Sequence, residues 1–296
     1  METFVLLTIT GLGLAAMYFL IASGLSLIYG LMGILNFAHG AFLTVGAFAT
    51  WSITEYLDFI GNETLRFVVA GLFGLACGAA LAALVELVLI RPLYRRPIEQ
   101  VLVTVGLALA VAALVQGIWG PEVQPFPSPQ WMRETTSILG ANIPNDRFVE
   151  IAAAVVVLGG LQAFLRRSRY GLIIRAGVEN RAMVTALGID VRRAFTLVFT
   201  IGGVAAALAG VLSSVYFGGV EPHRGTSLLI FAFIVVVIGG LGSIEGSAYA
   251  AVVVGLTQQY ANYYASSGLG DLAVVLLLAL VLLVKPGGLA RAVVAH

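Results

Sequence analysis

The 296-residue chain is 60% hydrophobic and 10% charged, with a formal net charge of +1. Soluble domains carry about 25% charged residues, so this chain cannot cover a water-facing surface and reads as a polytopic membrane protein. A single lysine (Lys285) and a single cysteine (Cys77) exclude an intrachain disulfide framework, and Cys77 sits in an apolar run as a small packing residue.

Nine apolar segments follow one another, at roughly 4–29, 33–53, 67–90, 98–119, 149–165, 194–217, 227–242, 247–265 and 272–284. A crossing helix needs about 20 apolar residues. The fold class expected is all-α: a transmembrane helical bundle of about eight or nine hydrophobic segments, some broken at glycines, in one transmembrane domain over 1–296. The start, Met1-Glu2-Thr3, lacks a basic stretch and its apolar run is long enough to span, so a cleaved signal peptide is not expected.

The first two segments are separated only by Gly30-Leu31-Met32-Gly33. They are either two spans or one span with a re-entrant piece, and the seventh and eighth pose the same choice. The cluster continues through Ile34, Leu35, Asn36, Phe37, Ala38, His39, Gly40, Ala41 and Phe42. A second cluster runs Gly239-Gly240-Leu241-Gly242-Ser243-Ile244-Glu245-Gly246-Ser247-Ala248-Tyr249. Each places glycines and a polar residue between apolar runs, then a glycine, a small residue and an aromatic. Either this is a weak internal repeat of the kind transporters use or it is a chance likeness of glycine-rich segments. Irregular backbone at membrane depth is tolerated only inside protein or along a cavity. Asn36, His39, Gly40, Gly239, Gly240, Gly242 and Glu245 are therefore candidates for a translocation pathway or gate. The competing reading is that Asn36, His39 and Glu245 hydrogen-bond backbone groups freed at two helix breaks.

The third segment carries Gly71, Gly74 and Gly78 among alanines, and the sixth carries Gly202, Gly203 and Gly210. Such small residues let membrane helices approach closely. Glu86 precedes Arg91 by five positions and can either snorkel or pair near the inner membrane face; in both cases it is read as a structural group. The stretch 120–147 holds Pro121, Pro125, Pro127, Pro129 and Pro144. Proline fixes φ and removes donors, so this is an ordered coil or extended cap, either a passive connection or a surface for an external partner.

Basic residues set the orientation. Residues 166–193 form an island with Arg166, Arg167, Arg169, Arg175, Arg181, Arg192 and Arg193. Together with Arg91, Arg95, Arg96, Lys285 and Arg291 these fall on one side, which is read as cytoplasmic. Only Arg66, Arg133, Arg147 and Arg224 fall on the other. The C-terminus is then cytoplasmic, the N-terminus and 120–147 extracytoplasmic. Within the island a short amphipathic helix starting near Val178 would present Ala182, Ala186 and Ile189, with Met183 and Leu187 beside them. Glu179, Asn180, Arg181 and Thr185 form its polar edges, and Gly188 is its stop. Such a helix either seats in a partner's groove or lies on the lipid surface.

Much chemistry is missing. The lone lysine is followed by Pro286, so no phosphate-cradling P-loop exists. Three histidines and one cysteine give no metal-ligand spacing, no set suits nucleophilic catalysis, and no span carries a row of ionisable groups. No catalytic residue and no metal site is expected.

Three stretches carry a resemblance: residues 29–40 (Tyr29 to Gly40), residues 179–189 (Glu179 to Ile189), and residues 239–246 (Gly239 to Gly246). With these the chain resembles, over nearly its whole length, the integral-membrane permease subunits of ABC importers for branched-chain amino acids, of the LivH type. The resemblance implies that residues 179–189 (Glu179, Asn180, Arg181, Ala182, Met183, Ala186, Leu187, Gly188, Ile189) act as the coupling helix seated on a cytoplasmic ATPase. Asn180-Arg181 stand where the better-known importer loop has two alanines. It implies two ABC ATPase subunits that bind ATP and Mg, a second related permease (LivM-like), an extracytoplasmic substrate-binding protein, and membrane lipid as partners. No cofactor in this chain and no nucleic acid are implied. The place implied is a bacterial or archaeal cytoplasmic membrane, and the mechanism is alternating access without enzymatic activity in this chain. Branched-chain amino acids are the family default, with other amino acids, amides and urea served by similar permeases. A self-sufficient channel or secondary carrier for small polar solutes is the alternative.

Overall fold

A computed structural model describes residues 1–289 except Arg95, Ile189 and Ser267. Among the expectations above, Arg95, Ile189 and Arg291 lie outside the described residues, as do the side chains of Glu179, Asn180, Arg181, Ala182 and Thr185.

Helix α1 (Glu2–Met32) is apolar on every face and buried almost without interruption from Gly13 to Ile28. A helix hydrophobic all round belongs inside, and α1 forms the axis of the bundle. Gly33 ends it at φ 66°, its N–H returning to the Tyr29 carbonyl. Helix α2 (His39–Tyr56) follows. The Asn62 side chain accepts from the Leu65 N–H and caps α3 (Glu63–Val85), which runs on through a π turn at Glu86–Ile90 and a 3-10 turn at Arg91–Leu93. Helix α4 (Pro97–Trp119) opens with proline in its first turn, where a missing N–H costs nothing.

Residues 120–147 are more ordered than proline content alone suggests. They hold β1 (Gln124–Pro125), the four-residue α5 (Gln130–Arg133), and a hairpin of β2 (Thr135–Ile138) and β3 (Ala141–Pro144). Then come α6 (Asp146–Arg167), α7 (Arg169–Ala186), α8 (Val191–Tyr216), β4 (Gly219–Val220) paired antiparallel to β1, α9 (Arg224–Gly239), α10 (Ile244–Tyr264) and α11 (Leu269–Val284). The strands lie at one end of the bundle, the hairpin end, and α7 lies at the other.

Each of the nine apolar segments holds a helix, but not every one of them is long and apolar enough to cross a membrane by itself. Five helices are long and apolar enough to cross a membrane, namely α1, α3 with its extension to Leu93, α4, α6 and α8. The pair α9 and α10, bent by 117°, makes a sixth if counted together. Helix α11 is apolar but has only 16 residues. The chain is an all-α, multi-pass membrane protein with short strands at one end.

The internal repeat lies elsewhere than the glycine-rich likeness suggests. The counterpart of 33–42 is 218–227, not 239–249. Gly33 and Gly218 both have positive φ, 66° and 71°. The His39 N–H donates to the Asn36 carbonyl at 3.3 Å and the Arg224 N–H to the Glu221 carbonyl at 3.2 Å. The Phe42 N–H reaches the Ala38 carbonyl, and the Ser227 N–H that of His223. Contacts repeat likewise: α2 packs on α3 and α8, as α9 packs on α10 and α1, while α1 packs on α10 as α8 does on α3. Helices α1 and α8 run in opposite directions, so α1–α4 and α8–α11 form an inverted repeat. Its centre is where the first turns of α2 and α9 meet. A Cβ on Gly40 would stand 2.6 Å from the Gly225 carbonyl oxygen. The sequence pattern misled because glycines at 239–246 break a helix for a different reason, the α9–α10 reversal.

Small residues bring α3 and α8 close to each other and α8 close to α1 and α2. A Cβ on Gly46 would meet Ala207 at 2.6 Å, one on Gly78 would press on Ala207, and one on Gly202 would meet Ile28 at 2.9 Å. Lipid tails are as apolar as leucine, so close packing rather than water exclusion holds these helices together.

Candidate functional site

The basic island folds as a helix longer than expected. Helix α6 ends at Arg167, and Ser168 turns extended (φ −92°, ψ 153°). Its hydroxyl accepts from the Gly171 N–H at 2.8 Å, a serine N-cap that starts α7 at Arg169 rather than near Val178. Ile174 and Val184 are buried. A Cβ on Gly177 would stand 3.5 Å from Leu31 at the end of α1 and 3.9 Å from Val191 at the start of α8. These three residues share one face at helical spacing. The helical period from Ile174 to Val184 carries the signal for this inward face, which the C-terminal turns alone do not show.

The outer face is what the sequence singled out. Met183 is 63% and Leu187 71% exposed, and Ala186 and Gly188 are exposed with them. Gly188, at φ 78°, stops the helix as predicted. Asp190 then accepts from the Arg192 N–H and caps α8. Exposed Arg166, Arg167, Arg169, Arg192 and Arg193 flank this apolar tip.

A buried carboxylate ties the foot of α8 to α3. Glu86, fully buried in the π turn, accepts from Arg91 at 3.3 Å, from the Thr196 hydroxyl at 2.7 Å and from the Tyr94 hydroxyl. Arg91 also donates to Thr196 Oγ1 at 2.8 Å. The expected Glu86–Arg91 pair is present; Thr196 and Tyr94 are partners that sequence separation hides. Glu86→Ala should destabilise the purified protein by about 2–3 kcal/mol, since it strands a charge and two hydroxyls. A lowered detergent melting temperature, with Glu86→Gln intermediate, checks this.

The two glycine breaks converge. Asn36 is buried and its Oδ1 accepts from the Ala38 N–H at 3.1 Å, while its Nδ2 has no partner among the described residues. His39 is buried at the first turn of α2. Its Nε2 donates to the Ile21 carbonyl of α1 at 3.1 Å, its Nδ1 has no partner among the described residues, and its ring stands edge-on to Phe42. Gly40 meets Gly225 at the centre of the repeat. Gly240 and Gly242 have φ 98° and 84° and make the reversal between α9 and α10, while Gly239 lies against Gly246. A Cβ on Gly30 would be 3.1 Å from the Gly242 Cα, so the end of α1 touches the second break directly.

Glu245 stands apart, more than half exposed at the start of α10, with Arg166 at 3.1 Å and Gln162 at 3.2 Å on α6. Hydrogen bonding to freed backbone, one of the two readings of these polar residues, describes Asn36 and His39 but not Glu245.

Sequence reasoning missed a charged cluster at the hairpin end. Arg147, assigned to a loop, is nearly buried, with Asp146 at 3.0 Å, Glu150 at 3.8 Å and the Tyr216 ring centroid 3.3 Å from its guanidinium carbon. The available signal was the set Asp146, Arg147 and Glu150 on one face at the mouth of a span. Among the described residues no three His, Cys, Asp or Glu side chains converge as metal ligands.

Comparison with known proteins places these features in a family. The family model for the branched-chain amino acid transport system permease component matches residues 7–285. The high-affinity branched-chain amino acid transport system permease protein LivH of Escherichia coli K12 is 31% identical over 285 residues, 94% of this chain and 92% of the relative. The probable branched-chain amino acid transport permease protein LivH of Methanocaldococcus jannaschii is 26% identical, covering 85% and 79%. The fructose import permease protein FruF of Bifidobacterium longum is 30% identical, covering 85% and 69%. No solved structure matches the chain. An inverted helical repeat, an exposed basic-flanked helix and a match across nearly the whole length lead to one conclusion: the chain belongs to the branched-chain amino acid transport system permease family.

Proposed function

We propose that the protein is the membrane permease subunit of a binding-protein-dependent ABC importer for branched-chain or related amino acids. The observation that carries this reading is the tip of α7. It exposes Met183, Ala186 and Leu187, ends at Gly188, and is followed two positions later by Asp190, the cap of α8. A partner ATPase that grips this tip moves α8 and, through Gly177, the end of α1. The ATPase pair binds ATP and Mg; this chain supplies the lever. Residues 179–189 form the contact, and a second, LivM-like permease completes the pathway. Arginine-rich α7 faces the cytoplasm together with the C-terminus, while the N-terminus and the hairpin end face outward and receive the substrate-binding protein. Asn36, His39 and Gly40, with the reversal at Gly239, Gly240 and Gly242, line the translocation pathway between the two halves of the repeat.

Extraction from native membranes in mild detergent tests this. P-loop ATPases and a second permease should co-purify at fixed stoichiometry. Uptake of leucine into liposomes should require both ATP and a loaded binding protein. A chain that purifies alone and moves solute without ATP would be a channel or carrier, which overturns the reading.

A further inference from the structure

Helix α6 is the most exposed of the candidate spans, with only 11% of its apolar window buried. Beside it lies an open groove of about 150 Å³ between α1, α6 and α10, whose lining is almost wholly apolar and includes Leu12, Phe19, Ala154, Val155, Leu158 and Val252. One stripe of α6 continues from the groove: Ala154 and Leu158 lead at helical spacing to Gln162 and Arg166. One stripe of α10 does the same, from Val252 and Ala248 back to Glu245. The groove therefore opens toward the α7 end on a polar mouth made by Gln162, Arg166 and Glu245.

The bonding at that mouth is incomplete. Gln162 Nε2 and Arg166 Nη2 both donate to the same carboxylate oxygen, Glu245 Oε1. Among the described residues Glu245 Oε2 accepts no hydrogen bond and so has room for a donor, and the other guanidinium N–H groups of Arg166, an exposed side chain, have room for an acceptor. A headgroup with both an ammonium and a phosphate matches this pair. Its N–H groups donate to Oε2, and its phosphate oxygens accept from Arg166 in a charge-assisted bond. The length also fits. Fifteen residues of α6 separate Ile151 at the groove's upper end from Arg166, about 22 Å at 1.5 Å per residue. That is about half of a 40–45 Å bilayer, which is one leaflet with its headgroup layer.

We propose that this groove is a specific site for a phospholipid with a primary ammonium headgroup, phosphatidylethanolamine, in the leaflet at the α7 end. One acyl chain lies along Leu158, Val155 and Leu12, and the headgroup bridges Arg166 and Glu245. Phosphatidylcholine has the same charges and shape, but its quaternary ammonium carries no N–H to donate to Glu245. An anionic lipid would gain from Arg166 and meet Glu245 unfavourably. The bound lipid splints α6 to α10 next to the start of α7.

The test uses the full-length chain with whatever subunits co-purify, delipidated in detergent and analysed by native mass spectrometry. Palmitoyl-oleoyl phosphatidylethanolamine, the matching phosphatidylcholine and the matching phosphatidylglycerol are added at equal concentration. Phosphatidylethanolamine should be retained ~10-fold or more over phosphatidylcholine, the expected worth of one hydrogen bond to a charged group. Glu245→Gln should erase that preference, and Val155→Trp, an exposed position that fills the groove, should lower retention of every lipid. Equal retention by the unaltered protein, preference for phosphatidylglycerol, or an unaltered preference in Glu245→Gln would each overturn the site. So would an absence of lipid combined with efficient cross-linking between Val155→Cys copies, which would assign the groove to a second permease.

Discussion

Gly188→Val will insert into the membrane at normal levels and fail to transport. Gly188 ends α7 at φ 78° and a Cβ there would meet nothing within 4 Å, so the defect is one of backbone conformation and not of crowding. A left-handed conformation costs an L-residue about 1–2 kcal/mol, and a β-branched side chain more. The chain can avoid that cost only by re-aiming the tip that carries Met183, Ala186 and Leu187. Uptake should fall by ~10-fold or more, the equivalent of about 1.4 kcal/mol in productive docking, and ATPase activity of the complex should no longer respond to a loaded binding protein. Gly188→Asn supplies the control, because asparagine visits the left-handed region readily. It should retain most of the uptake. A charge at the tip, Ala186→Glu, should uncouple in the same way without changing the backbone. Full uptake by Gly188→Val would refute the role assigned to α7.

Gly225→Ala should be the most destabilising single-methyl change in the chain. An added Cβ would press on the Gly40 carbonyl oxygen and the Thr44 hydroxyl. The obstacle is the main chain of α2, which cannot swing aside as a side chain can. Overpacking of this kind costs about 1–3 kcal/mol, against the gain of about 1 kcal/mol that alanine normally brings to a helix interior. Gly71→Ala is the matched comparison. That glycine is also helical, and its Cβ would meet nothing within 4 Å, so the gain in helix propensity should dominate. Melting in detergent should separate the pair: lower for Gly225→Ala, unchanged or higher for Gly71→Ala. Similar values for both would mean that α2 and α9 do not meet as closely as described.

Both predictions bear on one division of labour. Rigid contacts such as Gly40–Gly225 hold the two halves of the inverted repeat in register. In the proposed mechanism the moving element is α7, which lies between two caps: Ser168 at its start and Asp190 at the entry to α8. A lever needs a hinge at each end, and these caps are local bonds that can break without disturbing the packed centre.

The sequence by itself determined the class of the protein and most of its helices. Scarcity of charge decides for a membrane solvent, and apolar run length marks each helix because lipid permits no unpaired backbone. The glycine breaks after α1 and between α9 and α10, the stop at Gly188, and the Glu86–Arg91 pair were also legible, because each depends on residues close in the chain. Tertiary structure decided the rest. Whether an apolar segment crosses on its own depends on where its helix begins, and α2 and α9 begin against each other in the bundle interior. The repeat partner of 33–42 is identified by backbone conformation and contacts at 218–227, which share little with it in residue type. Thr196 on Glu86, Arg147 beneath Tyr216, and Arg166 on Glu245 join residues far apart in sequence. No periodicity encodes such pairs, because they form only when the helices that carry them have packed.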